Sequence, residues 1–423
     1  MRVNIIRPKW YAQMNGFNEQ LQDELYTVVS SLGSEAILTE EEVALDCQVF
    51  FLVAQYREEV MGNFIEEMCK ECPEKSCIGV FGKAARAFSE TVLRKSINID
   101  FVATSCCKEL VLGILRNIEC GKNMNIPGTI TRDGHFPIEE SGGETIKCTS
   151  FKYLEEGKRK YPICVLSASD ICGGNCYFCE RFGFSKELNK KAHKSAKDIV
   201  DEIEFVILKY GRRIFAFSDD NFIFNDKEGV ERAYELSDEI LKRNLRIKYT
   251  FECRSDSVNL NLFNELKKSG LYKVFVGIES GSQSFLDRLN KGITVHQNAN
   301  AIECLKKIGV ICEPGIILFD PLSSYNEMRD SYEFFSEYKK DLRVTFSSGD
   351  YKLFLTPNNP LIRNKYWTNQ TESFYRDIIY KDYELKDNVS NQIYKKFKCA
   401  LDENSSEEGL NKILDALGFA LNI

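Results

Sequence analysis

The sequence predicts an α/β protein built from two consecutive parallel-sheet domains, on three observations. Over residues 1–120, short apolar, β-branched runs alternate with longer helical runs, a pattern that indicates a parallel sheet covered by helices. A second alternating series of strand-like runs fills residues 161–360. Between them, residues 121–160 are rich in Gly, Pro, Asn and charge, the composition of a linker. Residues 361–423 follow as a helical C-terminal region.

In the first domain Val3–Arg7, Ala36–Thr39, Val49–Ala54, Cys77–Phe81 and Ile99–Thr104 read as strands. The helices between them are Glu19–Ser31, Glu58–Lys70, Ala84–Lys95 and Glu109–Asn117. This is a Rossmann-like order, and such sheets bind ligands at the carboxyl ends of their strands. Those ends lead into Pro8, Gln55, Gly82 and Ser105. A small hairpin is expected around Arg132–Gly134 in the linker.

The second domain opens on the strand Tyr161–Leu166, which runs into SASDICGGNCYFCERFGF. Cys172, Cys176 and Cys179 stand there with three and then two residues between them. Three soft thiolates on one short loop suit an iron–sulfur cluster, and Gly173 and Gly174 let the loop turn sharply. A [4Fe–4S] cluster usually takes four cysteines, so one iron would be left for a ligand that is not protein. Zinc would want a fourth Cys or His at close spacing, and none lies nearby.

The C-x3-C-x2-C spacing resembles the signature of the radical S-adenosylmethionine (SAM) enzymes. The resemblance implies a [4Fe–4S] cluster held by Cys172, Cys176 and Cys179, with SAM chelated to the open iron. It implies reductive cleavage of SAM to a 5′-deoxyadenosyl radical, and an aromatic contact to adenine from Phe178. Further matches follow in order at the ends of strand-like runs. FSDDNF places Asp219 and Asp220 where the family sets a turn against the SAM amino group. FECRSD places Arg254 at a strand end, where a guanidinium can hold a carboxylate in a bidentate pair; the plainer reading is an ion pair with Asp256 or Asp219. GIESGS resembles the ribose and methionine contact, with Glu279 and Ser280. DRLNKGIT matches the family's downstream motif through Lys291, Gly292 and Thr294. Later, FDPLSSYNEM, with Asp320, Pro321 and Glu327, departs from the family's usual turn and implies a different pocket wall.

The order of a Rossmann-like domain ahead of a partial (β/α)6 barrel resembles the cobalamin-binding class of these enzymes. Cobalamin is therefore the further cofactor that the resemblance implies, and methyl transfer the leading chemistry. The D-x-H-x-x-G motif of that class is absent, and the one histidine of the N-terminal half, His135, lies in the linker. Without cobalamin, rearrangement or epimerisation would take the place of methyl transfer. A second relative is the tRNA methylthiotransferases, but the cysteines expected near Leu52–Tyr56 and Phe81–Lys83 are missing. The scattered Cys47, Cys69, Cys72, Cys77, Cys106 and Cys107 read as packed thiols. A non-catalytic scaffold that retains a cluster is the alternative of another class.

The rest of the second domain reads as helix Ala196–Tyr210, strands Ile214–Ser218, Lys248–Cys253 and Tyr272–Ile278, helix Ala299–Ile308, and strands Ile311–Phe319 and Val344–Phe346. Between the cysteine loop and the first of these helices runs the basic segment KELNKKAHKSAK, whose His193 reads as surface. LTPNNPL with Pro357 and Pro360, then Tyr366, Trp367 and Phe374, precede a final helix, Ser406–Leu421. Composition narrows the setting. No stretch approaches the roughly 20 apolar residues of a membrane span, and MRVNIIRPKW has no signal-peptide apolar region. Sixteen scattered cysteines argue for a reducing cytoplasm. A formal charge of −7 gives no general attraction for nucleic acid. The partners that the resemblance implies are a small-molecule or peptide substrate and an electron donor such as flavodoxin or ferredoxin.

Overall fold

A computed structural model describes residues 1–8, 17–54, 59–87, 89, 92–93, 96–105, 107–137, 147–156, 162–169, 172–179, 193–224, 226–345, 351–353, 383–403 and 409–423. The N-terminal sheet is built from β1 (Arg2–Arg7), β2 (Glu35–Glu40), β3 (Val49–Val53), β4 (Cys77–Phe81), β5 (Phe101–Ala103), β6 (Thr129–Thr131) and β7 (Gly134–Phe136). The strand order is β2-β1-β3-β4-β5-β6-β7. The first five are parallel. The hairpin expected around Arg132–Gly134 is β6–β7, and it extends this sheet as an antiparallel edge.

The central strand β3 reads VFFLV and is buried throughout, as a strand covered on both faces must be. Helices α1 (Phe17–Ser31) and α4 (Lys108–Glu119) pack on one face through Leu21, Leu25, Val111 and Ile114. Helix α2 (Glu59–Glu71) covers the other through Phe64 and Met68. Helix α3 (Lys83–Ala87) starts directly after β4. The order 2-1-3-4-5 is a doubly wound sheet whose switch point lies between β1 and β3.

The second sheet is parallel throughout, in the order β12-β11-β10-β9-β8. Its strands are β8 (Cys164–Leu166), β9 (Ile214–Phe217), β10 (Lys248–Arg254), β11 (Leu271–Glu279) and β12 (Ile311–Ile316). Helices α5 (Ala196–Tyr210), α6 (Lys227–Lys242), α7 (Leu260–Ser269), α8 (Gln283–Arg288), α9 (Val295–Ile308) and α10 (Tyr325–Glu337) connect and cover them. Side chains alternate along β10. Tyr249, Phe251 and Cys253 are buried, with Phe251 edge-on to Phe263 of α7 at 6.0 Å. Thr250, Glu252 and Arg254 therefore point to the opposite, inner face. The sixth strand expected at Val344–Phe346 is reduced, among the described residues, to parallel bridges at Leu342 and Lys352.

The C-terminal region contributes α11 (Asn388–Glu403) and α12 (Leu410–Leu421). Phe397 and Tyr394 of α11 pack on Phe319 at 5.0 and 5.1 Å. Pro357, Pro360, Tyr366, Trp367 and Phe374 lie outside the described residues. Among the described residues, no helix is long and apolar enough to cross a membrane.

The two domains meet at α1 and a 3-10 turn, Lys152–Glu156, just before β8. There Asp23, 1% exposed, accepts from the Tyr153 N–H at 3.3 Å. Burial pushes its carboxyl up to about 7, against the Tyr153 and Lys152 hydrogen bonds that pull it down. The unfolded chain ionises this group near 3.9. The folded state holds the proton more tightly, so this contribution is fully present below about pH 4 and is lost as pH rises to about 7. Asp23→Asn should flatten the stability profile between those limits, by at most about 1.4 kcal/mol per pH unit. Unfolding midpoints of both proteins at pH 5 and 7 check this; equal pH slopes would refute it.

Candidate metal centre and cofactor site

The cysteine loop leaves the carboxyl end of β8, where barrel ligands sit, and its base is stapled without help from any ligand. Asp219, 2% exposed, follows β9 and accepts from the Ala168 N–H at 2.9 Å and the Ser169 hydroxyl at 2.6 Å. On the return side the Lys194 N–H donates to the Ala168 carbonyl at 2.8 Å, and His193 bridges to Ser169. Lys194 is itself anchored in the interior by Glu202 of α5 at 2.9 Å, both side chains almost fully buried. Burial raises the Asp219 carboxyl, while Arg232 and the two loop donors lower it.

Within the loop, Cys172 and Cys176 converge. A Cβ placed on Gly174 would stand 3.5 Å from the Cys172 sulfur, 3.6 Å from the Cys176 sulfur and 3.5 Å from Arg254 Nη1. Glycine there keeps a side chain out of the space the sulfurs share. Cys179 follows one turn on, its N–H donating to the Cys176 carbonyl at 3.1 Å. Among the described residues, no three His, Cys, Asp or Glu side chains already stand within metal-holding range of one point. The downstream DRLNKG motif fastens the loop from the other side. The Tyr177 N–H donates to the Leu289 carbonyl at 2.9 Å, and the Asn290 amide donates to the Asn175 carbonyl at 2.7 Å.

Arg254 makes the ion pair with Asp256 that its plainer reading names, through Nε and Nη2 at 3.0 Å each. Its Nη1 still lies 3.9 Å from the Cys176 sulfur. Glu279 ends β11 in the left-handed region, φ +64°, where a non-glycine residue is uncommon. Its carboxylate meets Lys291 Nζ at 2.8 Å, and both side chains are buried. Lys291 in turn lies 5.1 Å over the Phe178 ring. A Cβ on Gly277 would come within 2.5 Å of Lys291 Nζ, so a larger residue there would push the ammonium aside. Burial pushes the Cys176 thiol up, and Lys291 and Arg254 pull it back down. Ser280 lies under this layer, hydrogen-bonded to Ser331 of α10 at 2.7 Å.

A cavity of about 470 Å³ opens beside the loop, lined by Gly173, Gly174, Asn221, Arg254, Asp256 and Lys291 among others. Three thiols, a glycine cradle and two cations beside the thiols fit the donor set of a [4Fe–4S] cluster. Phe178, Arg254 and Glu279 are thus brought together at the barrel mouth. Asp219 stands below them in the loop stem. Asp220 turns to the N-terminal domain, where it pairs with Lys83. Lys83 Nζ also donates to the Ser218 carbonyl at 2.6 Å. The carboxyl edge of the N-terminal sheet, at Gly82–Lys83, therefore meets the carboxyl edge of the barrel. Nothing local in the sequence links Lys83 to Asp220.

Other expectations find different places. Asp320 and Glu327 both clasp Arg288 of α8, at 2.7 and 2.6 Å, and Glu327 closes a capping box with Ser324. His135 is exposed on the edge strand β7. His193 bonds Glu228 at 3.1 Å. Cys47, Cys69 and Cys107 are buried and Cys72 and Cys77 half-buried, none in a disulfide. Burial pushes the Cys69 thiol to about 11 and the Cys72 and Cys77 thiols to about 12. Cys106 lies outside the described residues.

Comparison with known proteins agrees with this geometry. The radical SAM superfamily model matches residues 166–335. An uncharacterized methyltransferase of Pyrococcus horikoshii is 29% identical over 197 residues, 46% of this chain and 40% of the relative. The 4′-phospho-dehydrooxetanocin synthase of Priestia megaterium is 27% identical over 212 residues, 45% of this chain and 28% of the relative. The chain thus spans well under half the length of these curated relatives. Among solved structures, the cobalamin-dependent SAM radical enzyme OxsB with aqua-cobalamin bound aligns with TM-score 0.76 at 16% identity, over 95% of this chain and 67% of that one. The radical SAM methyltransferase TsrM from Kitasatospora setae aligns with TM-score 0.63 at 12% identity, over 80% and 70%. The two-sheet architecture is therefore the fold of these enzymes, and the chain carries a radical SAM superfamily domain over residues 166–335.

Proposed function

We propose that this chain is a radical SAM enzyme of the cobalamin-binding class that modifies an unactivated C–H position, with methyl transfer as its leading reaction. One observation carries the reading: the glycine-cradled cysteine loop sits at a barrel mouth that directly meets the carboxyl edge of a doubly wound sheet. When bound, the cluster with SAM supplies the 5′-deoxyadenosyl radical, and cobalamin supplies a methyl carrier. The chain's own residues prepare that space. Cys172, Cys176 and Cys179 would hold the cluster, with Arg254 and Lys291 placed to offset its thiolate charge. Phe178, Arg254, Glu279 and Ser280 are the proposed SAM-facing set, while Asp219 positions the loop. Asp220 is a contact to the N-terminal domain through Lys83. Gly82–Lys83 at the end of β4 and Thr104–Ser105 at the end of β5 are the part of the N-terminal edge offered to a corrinoid.

A small-molecule or peptide substrate, an external electron donor and a cytoplasmic setting belong to the same reading. Support comes from the fold shared with OxsB over nearly the whole chain. The test is anaerobic reconstitution with iron, sulfide and hydroxocobalamin, followed by desalting, a visible spectrum and an assay for 5′-deoxyadenosine. Retained corrinoid bands beside cluster absorption are expected. A loaded cluster without 5′-deoxyadenosine above background would overturn the enzyme reading; a cluster spectrum without corrinoid would remove cobalamin from it.

A further inference from the structure

The inner face of the barrel carries one carboxylate that the site above does not use. Glu252 lies in β10 with its side chain on the inner face, two residues before Arg254. In register it stands beside Phe275 of β11, and Phe275 beside Glu313 of β12. Its backbone carbonyl is taken by the Phe222 N–H at 2.9 Å, but its carboxylate makes no hydrogen bond or ion pair with any described residue. The charged groups around it are Lys83, Asp220, Glu279 and Glu313, and each of these is engaged elsewhere. Lys83 pairs with Asp220, Glu279 with Lys291 at 2.8 Å and Glu313 with Lys273 at 2.6 Å. Among the described residues, these pairs match three cations to three carboxylates, and Glu252 is left without one.

Water solvates this unpaired carboxylate, and a ligand that displaces the water must bring a cation to offset the charge. Solvent reaches Glu252, which is exposed, although protein surrounds it on the barrel side. The loss of bulk hydration pushes its carboxyl up to about 7, and Lys83 pulls it only part of the way back. Phe275, half-buried beside it, offers an apolar surface to the body that bears the charge.

We infer that Glu252 anchors a cationic nitrogen of the substrate, an ammonium or amidinium borne on an apolar or aromatic body that lies against Phe275. The position suits that role. Glu252 lies inside the barrel between the cysteine loop side, marked by Glu279 and Lys291, and the N-terminal domain side, marked by Lys83. A substrate held there would sit between the two faces that the proposed function assigns to SAM and to the corrinoid. The inference rests on that reading for the reaction it serves, but not for the binding itself.

The test uses the full chain and its Glu252→Gln variant, each reconstituted with iron and sulfide, with fluorine NMR of two probes. 4-Fluorobenzylamine carries the cation, and 4-fluorobenzyl alcohol is its neutral counterpart. A charge-assisted contact predicts that the wild type prefers the amine by about tenfold, and that Glu252→Gln removes this preference. Circular dichroism and iron content establish that the variant is folded and loaded. Equal binding of both probes to the wild type, or a preference that survives in the variant, overturns the inference. A preference abolished by saturating SAM assigns the carboxylate to SAM and overturns it also. A 5′-deoxyadenosine assay on the same samples separates the two ideas. Cleavage without amine preference leaves the radical SAM function and removes this site, while preference without cleavage does the reverse.

Discussion

Replacing Cys172, Cys176 and Cys179 together by alanine should strip the reconstituted protein of its brown colour and of about four irons per chain. Release of 5′-deoxyadenosine should fall to background. The loss is expected to be total because the loop then keeps none of the three thiolates that would hold the cube. The fold is expected to survive, because the loop is tied at its base by Asp219, Lys194 and Ser169 rather than by metal. Far-ultraviolet circular dichroism should therefore match the wild type. Iron analysis decides the matter: about four irons retained in the triple variant would mean a different cluster site or a second cluster.

The second large effect is expected at Lys291 and Glu279. Their side chains are 6% and 9% exposed and 2.8 Å apart, beside Phe178 and within reach of the Cys176 thiol. Lys291→Met keeps most of the side chain's bulk and removes its charge. It leaves Glu279 as an uncompensated buried carboxylate, a change that typically costs about 3–5 kcal/mol. Glu279→Gln should cost a similar amount by stranding the Lys291 ammonium. The double variant, with neither charge, should be more stable than either single one, because the partners act as a unit. Chemical denaturation of the four proteins measures this, and simple additivity of the two losses would reject a coupled pair. Lys291→Met should also retain less iron, since Lys291 is the leading charge that favours the Cys176 thiolate, whereas Glu279 opposes it.

Much of this architecture is legible in local sequence, because period-two apolar runs and helical runs report their own burial. VFFLV of β3 and the alternating KYTFECR of β10 show why. The cysteine spacing is equally local, since all three thiols lie on one loop. What sequence misses is long-range pairing. FSDDNF places Asp219 and Asp220 at a strand end but does not tell them apart. In the fold, one carboxylate turns inward to the loop stem and the next outward to Lys83, 137 residues earlier in the chain. Asp320 and Glu327 are hidden in the same way, because their partner Arg288 arrives from a separate helix. Glu252 was within reach of the period-two reading, since Phe251 and Cys253 on either side point the other way. Helix α11, of 16 residues, falls in the region read as helical, but the aromatic, charged stretch before it hides where it begins.

The stapled stem beneath the cysteine loop also bears on how such a protein ages. Iron–sulfur sites are attacked by oxygen, and a site whose cluster is also its structural keystone would unfold with each loss. Here Asp219, Ser169 and the Lys194–Glu202 pair keep the frame in place when the inorganic part is gone. Damage would then leave an emptied but folded receptacle, open to refilling with iron and sulfide.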